Sequence, residues 1–290
     1  MTKDMFGADR LKINLHMHTT CSDGRKTLEE AAEIYKKEGY DVVAITDHWA
    51  FRKGEALCGL RTISGAEYNI GGGNACDGVF HILGLGCSSE PQLNAEHKAQ
   101  EIIDEIHRCG GLAILAHPAW SLNTVQQTAA LHGIDGTEIY NSVSDAGESA
   151  RPYSGDFVDI AACAGQYYPL IADDDTHYYD GSDDTKAWIM LEASQDASDE
   201  ELLEAIRQGK YYATQGPEVH ISRKGDQITV QCSPVSRIAF FSNAVWSQGH
   251  CHRVEGLTQA SCTVQPWETF IRAEVTDAQG RMAWSQILVL

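Results

Sequence analysis

Residues 13–18 read INLHMH, and residues 42–48 read VVAITDH. Each is a short apolar run that ends on side chains able to bind metal. The pattern returns in TISGAE (62–67), VFHILGLG (79–86), LAILAHP (112–118) and PLIADDDTH (169–177). Apolar runs of this length, rich in Val, Ile and Leu, read as buried strands of a parallel sheet. Polar groups at their C-terminal ends fall on the rim where α/β barrels carry their chemistry. Nine candidate ligands follow in order: His16, His18, Asp23, His48, Glu67, His81, His117, Asp175 and His177. A packing role can account for one histidine at a time, but not for six strand ends together.

Strands are expected near residues 11–17, 41–46, 62–67, 79–85, 112–116, 136–140, 169–172 and 186–191. Helices lie between several of them. Thr27-Leu28-Glu29-Glu30 and Ser198-Asp199-Glu200-Glu201 are capping boxes, with Gly39 and Gly209 placed to end those helices. Asn94 can cap a helix through Ile102, Ile103 and Ile106 that Gly110-Gly111 closes. Strand–helix alternation with this many units predicts a parallel sheet, closed into a barrel or doubly wound. The pattern changes at Gly216-Pro217. Beyond it EVHISRK, DQITVQC, SRIAFFS, ETFIRAEVTD and RMAWSQILVL alternate apolar and polar residues. Turn signals at Lys224-Gly225-Asp226 and Ala278-Gln279-Gly280 separate them. This predicts a small antiparallel β-sandwich at 216–290 after a first domain at 1–215. Its large apolar residues, among them Trp246, Phe270, Ile271 and Trp284, need a partner surface, and the first domain offers one.

The net charge is −19, with no basic track of the kind long nucleic acids require. A small anionic substrate still fits, because divalent ions would reverse the local sign. No apolar run approaches a membrane span, and MTKDMFGADR has no secretory h-region. Nine cysteines stand singly, at 21, 58, 76, 87, 109, 163, 232, 251 and 262. An odd count without CxxC does not describe a disulfide framework, so reduced thiols in a cytoplasmic protein are expected. The sequence leaves a homo-oligomer open.

The pieces HMHTTCSDG (16–24), AITDH (44–48), Glu67, His81, LAHP (115–118) and DTH (175–177) resemble the PHP (polymerase and histidinol phosphatase) superfamily of metal-dependent phosphoesterases. GKYYATQGPEVHI (209–221), CSPVSRIAF (232–240), RAEVTDAQGRMAWSQ (272–286) and EIYN (138–141) resemble its small CehA/McbA-like branch. The resemblance implies a distorted (β/α)7 TIM-like barrel with a di- or trinuclear centre. It implies one ion on His16, His18 and Asp175, with Glu67 bridging to the next. Glu67, His81 and His117 would hold the second ion, and Asp23, His48 and His177 the third. The Asp-x-His spacing selects Asp175 over Asp173 and Asp174. Imidazole and carboxylate donors suit two to three Mn, Fe or Zn ions. Only a short stretch separates Glu67 from His81, which leaves no room for the large inserted domain of some nucleotide phosphatases in the superfamily.

Two further residues are assigned to catalysis. Asp47 would orient a ligand or a helix N-terminus. Arg52 would meet a phosphate through its planar fork, the alternative being a solvated loop charge beside Lys53. Arg61 and Arg151 are weaker candidates, and Tyr140 and Asn141 follow a strand and could line the pocket. Cys21 reads as a loop filler. His250-Cys251-His252 has no carboxylate clustered with it and reads as an ordinary exposed strand. His97, His107, His132 and His220 read as surface or packing residues. The leading function is hydrolysis of a small phosphorylated metabolite by a metal-activated hydroxide: a nucleotide, a sugar phosphate or a cyclic phosphodiester. The alternatives are a hydrolase of a non-phosphate ester, amide or carbamate, and a metal-binding regulatory protein without turnover.

Overall fold

The computed structural model describes residues 2–74, 78–146 and 149–290. The first part of the chain contains β1 (Thr2–Lys3), β2 (Asp9–Asn14), α1 (Leu28–Lys37), β3 (Val42–Ala44), β4 (Ala56–Leu57), β5 (Leu60–Ile63), β6 (Gly65–Ile70), β7 (Phe80–Leu85), α2 (Ala99–Arg108), β8 (Leu112–Leu115), α3 (Val125–Thr128), β9 (Gly136–Asn141), α4 (Gly155–Cys163), β10 (Leu170–Asp173), β11 (Trp188–Glu192), α5 (Asp199–Arg207) and β12 (Tyr211–Thr214). The rest is strand only: β13 (Val219–Lys224), β14 (Gln227–Ser242), β15 (Cys251–Thr263), β16 (Phe270–Thr276), β17 (Met282–Trp284) and β18 (Leu288–Val289).

The local signals act as their chemistry dictates. The Thr27 hydroxyl accepts from the Glu30 amide, and the Glu30 carboxylate accepts from the Thr27 amide at 2.9 Å. Ser198 and Glu201 repeat this at α5. Gly39 takes φ 76°, the left-handed conformation that ends α1 without a Cβ penalty. Asn94 does not cap α2. Its side chain accepts from the Glu96 amide in a preceding turn, and Lys98 is the cap residue, with Glu101 accepting its amide.

Two sheets build the first part. One has the order β10-β9-β8-β7-β6, and the other contains β12-β11-β2-β3-β5. They meet at two seams, marked by parallel bridges between His48 and Glu67 and between Met17 and Thr176. Backbone bonds close both seams: Trp49 N to Glu67 O, His18 N to Thr176 O and Asp175 N to His16 O, each 2.9 Å. The fold is mixed α/β with large sheets. It differs from seven parallel β/α units in two ways. Among the described residues there are five helices, and β6, β7 and β8 pair antiparallel. The link from β6 to β7 is too short for the crossover that parallel pairing needs.

The expected separate sandwich is a continuation of the second sheet. β12 pairs with β17 through Ala213–Trp284 and Thr214–Ala283. The two strands expected at DQITVQC and SRIAFFS are one, β14, bent where its register with β15 shifts near Val235. Alternation on β11 and β12 then serves two cores. Ile189, Leu191, Tyr211 and Ala213 face the first core, which also takes Trp284. Met190 and Tyr212 face the second, with Ile228, Val230, Ile238 and Ile271. Phe270, Ile271 and Trp284 are buried as expected, whereas Trp246 is 83% exposed. The eight described cysteines are free, four buried and four exposed, and Cys76 lies outside the described residues. No helix among the described residues is long and apolar enough to cross a membrane.

Arg272 ties the tail to α4. It is fully buried, donates to both Asp159 oxygens at 2.7 and 2.8 Å, and donates to Glu274 at 2.7 Å. Removing one partner of a buried pair leaves uncompensated charge. Arg272→Leu is therefore expected to cost about 3–5 kcal/mol, read from the urea unfolding midpoint. An unchanged midpoint would contradict this tie.

Candidate metal centre

The seams between the sheets gather the nine candidates. The chain beyond β2 stays extended, so His16 and His18 project to one side and Met17 to the other, among Ala31, Ala32 and Tyr35. His48 follows β3, His117 follows β8, and Asp175 and His177 follow β10. Glu67 and His81 lie on the antiparallel pair β6–β7 as diagonal neighbours, because Asn69 is opposite His81. His117 and Asp175 hold φ of 28° and 53°. Left-handed backbone at non-glycine residues is costly and persists where the surroundings impose it.

Three overlapping groups of donor atoms result: His16, His18, Glu67 and Asp175; Glu67, His81 and His117; and His18, Asp23, His48 and His177. Within each, the donor atoms lie within 4.8 Å of one another. The His16 and His18 Nε2 atoms are 3.2 Å apart and aim at the same point. Glu67 Oε2 lies 3.3 Å from His16 Nε2, 3.1 Å from His18 Nε2 and 3.2 Å from His48 Nδ1. Its other oxygen lies 2.7 Å from His81 Nδ1 and 3.4 Å from His117 Nε2. Asp23 Oδ2 faces His48 Nε2 at 3.6 Å and His177 Nε2 at 3.5 Å.

The donor set fits divalent cations. Asp175 Oδ1 makes no hydrogen bond, although it lies 3.1 Å from His16 Nε2 and from His18 Nε2. His48 Nδ1 is equally without a bond. These buried polar atoms converge on shared points rather than on one another, as ligands do. Protons hold the metal-free arrangement together. Burial pulls the His18 imidazole down, but Asp175 and Glu67 outweigh it and push it up to about 9. Burial likewise opposes the charged form of His16, and Asp175, Glu67 and Glu138 raise it well above its ordinary value. Burial would raise Asp175 and Glu67, yet the imidazoles hold both far below the usual carboxylate range.

A layer of buried polar groups orients these side chains. Glu138 bonds His16 Nδ1 at 2.7 Å, and accepts from the His117 amide at 2.8 Å and from Asn141 Nδ2 at 2.7 Å. Asn141 also donates to Asp175 Oδ2 at 3.1 Å. Of the three consecutive aspartates, only Asp175 enters the cluster. Asp173 accepts the Leu15 amide, and Asp174 accepts the amides of Thr185, Lys186 and Ala187. Sequence reasoning missed Glu138. Its one signal was a carboxylate inside GTEIYN, where burial on both sides demands a partner.

Asp47 accepts from the Thr19 amide, the Thr19 hydroxyl and the Ser22 hydroxyl at 2.7, 2.7 and 2.8 Å. It thus fixes the loop between His18 and Asp23 and does not line the cavity above the cluster. Arg52 is not on the cavity wall. Its backbone pairs with Gly65 and its guanidinium reaches Glu55 at 3.3 Å, which draws it outward along the loop. Arg61 is engaged by Asp199. Cys21 is exposed and bonds the Thr19 hydroxyl through its amide. In the tail His250 is not exposed as expected: it is buried with its Nε2 3.6 Å from the Glu268 carboxylate, while His252 bonds the Gly249 carbonyl.

Above the cluster opens a cavity of about 640 Å³. Trp120, Leu122, Val143, Ser144, Tyr178 and Arg151 line it together with Asp23, His48, Glu67, His81, His117, Asp175 and His177. Among its described lining residues Arg151 is the only Lys or Arg, and no carboxylate among the described residues pairs with it.

No family model matches the chain. It is 31% identical over 144 residues to an uncharacterized protein of Methanocaldococcus jannaschii, covering 46% of this chain and 82% of that protein. It is 48% identical over 44 residues to the DNA polymerase/3'-5' exonuclease PolX of Bacillus subtilis, covering 15% of this chain and 8% of PolX. The fold is similar to the crystal structure of a two-domain protein from Bacteroides vulgatus that contains a predicted PHP-like metal-dependent phosphoesterase. The TM-score is 0.58 at 15% identity, over 99% of this chain and 98% of that one. The chain is thus a relative of the Methanocaldococcus jannaschii protein, and its fold is that of the PHP-like two-domain protein.

Proposed function

We propose that the protein is a metal-dependent phosphoesterase acting on a small phosphorylated metabolite, with two or three Mn, Fe or Zn ions held by the nine clustered residues. We place the chemistry in residues 1–215 and a supporting role in 216–290. The observation that carries the reading is the sharing of Glu67 by five imidazoles beneath a cavity whose wall supplies Arg151. Bound divalent ions supply a water of lowered pKa and neutralise phosphoryl oxygens. The chain's own residues do the rest. Glu138 fixes the His16 ring by bonding its far nitrogen, so the other nitrogen faces the cluster. Asp47 holds the loop that presents Asp23. Arg151 meets a phosphate oxygen across the cavity mouth, and Trp120 and Tyr178 shield the site from water.

Hydrolysis of a carbonyl substrate is the second reading. Trp120, Leu122 and Val143 on the cavity wall favour it, since an apolar mouth suits an uncharged ester. A panel on metal-replete protein separates the two. Phosphomonoesters and phosphodiesters should turn over faster than carboxyl esters and amides. The reverse order would reject the phosphoesterase reading. Arg151→Ala should raise KM for phosphate esters about tenfold, the low end for a charge-assisted contact at an exposed position. Metal content should not change. An unaltered KM would remove Arg151 from the site.

Metal loading should depend on pH in a definite direction. Ligand imidazoles must be neutral, and His18 without metal loses its proton only near 9. Affinity should therefore weaken as pH falls below about 9, and binding should release protons. Chelator competition across that range, with calorimetry in buffers of different ionisation enthalpy, measures both. Affinity independent of pH would contradict the assignment.

A further inference from the structure

The wall that carries Arg151 is an excursion of the chain after β9. Residues 140–146 run outward and 149–154 run back. Tyr140 and Tyr153 form an antiparallel bridge across the two arms. The Arg151 amide bonds Ser144 O at 2.9 Å, and the Asn141 amide bonds Pro152 O at 3.0 Å. Val143, Ser144 and Ala146 on one arm and Ser149 and Arg151 on the other line the cavity. Behind them stands the tail. Trp284 of β17 stacks on Tyr140 at 5.4 Å and 23° and on Tyr153 at 6.4 Å and 26°, one ring from each arm. The Tyr153 hydroxyl donates to Glu274 of β16. Glu274 is itself held by the buried Arg272, which Asp159 of α4 grips from the other side.

We infer that the tail sets the phosphate-binding wall of the cavity: Trp284 and Glu274 act through Tyr140 and Tyr153 as positioning residues for the arm bearing Arg151. The physical reason is entropic. Arg151 is exposed, so its backbone must be held from elsewhere if its guanidinium is to wait at the cavity mouth. Fixing a residue's backbone costs about 1–2 kcal/mol, and the stack and the Tyr153–Glu274 bond offset that cost before substrate arrives. The tail supplies none of the nine clustered donors, so its action falls on substrate binding and spares metal binding. This inference rests on the phosphoesterase reading for its effect on affinity, but its effect on the arms does not.

Tyr153→Phe tests it with little risk to folding, since the ring and its stack on Trp284 remain. In metal-free protein, the amides of 140–146 and 149–154 should exchange with solvent about tenfold faster, while those of β13–β16 stay unchanged. In metal-replete protein, KM for a phosphate ester and the inhibition constant of inorganic phosphate should both rise about fivefold. The kcat and metal content should stay within about twofold. Combining Tyr153→Phe with Arg151→Ala should add nothing to Arg151→Ala alone, because both act through one contact. Unchanged exchange in the two arms would overturn the inference, and so would fully additive losses in the double variant. If exchange quickens but Arg151→Ala leaves phosphate inhibition intact, the positioning stands and the phosphate reading fails.

Discussion

Five imidazoles face the carboxylate of Glu67, which is almost wholly out of water. Buried charge is expensive unless paired, and this density of buried donors has no net benefit to a fold by itself. It is stable only with protons or cations between the donors. That demand explains the rest of the architecture. One seam between the two sheets runs through Glu67 itself, opposite His48, and the other, at Met17 and Thr176, brings Asp175 into the same donor group. The strained backbone at His117 and Asp175 falls at the same place. Strain, burial and unbonded donor atoms coincide, which is the arrangement of a binding site rather than of a core.

Much of this was legible in the chain. Seven of the eight strands expected in the first part lie within a few residues of observed ones, because each is an apolar run bounded by turn residues; the run expected at 62–67 is split at Ser64 between β5 and β6 of different sheets, and β12 has no counterpart among the eight. The i, i+2 spacing of His16–His18 places that pair on one side of an extended segment, and the structure keeps it there; Asp175 instead takes a left-handed backbone, so Asp175 and His177 reach the cluster without strand alternation. What could not be read depends on contacts distant in sequence. Antiparallel pairing of β6 and β7 follows from a short link, not from their composition, which is that of a parallel strand. The fusion of two expected strands into β14 and the edge-to-edge joining of the tail through Ala213–Trp284 leave no local mark. Arg52 looked suited to phosphate from its distance to His48, but the Arg52–Gly65 pairing turns it outward. Arg151 is far from every ligand in sequence and reaches the cavity only because the excursion after β9 folds back.

The tail is the less expected partner. β11 and β12 present one face to the first core and the other to the second, so the two cores share this strand pair. A shared strand pair transmits packing directly. Trp284 sits where the two meet, behind the cavity wall. The division of labour this suggests is simple: the first part of the chain gathers the donors, and the second shapes access to them.

Elemental analysis of wild-type protein and Glu67→Gln, both purified with Mn, Fe and Zn available, tests the central claim most directly. Wild-type protein is expected to hold two or three ions per chain. Glu67→Gln, which removes the charge shared between two sites, is expected to lose at least one of them while remaining folded. Wild-type protein that holds no metal, or a Glu67→Gln variant that holds as many ions as the wild type, would contradict that claim.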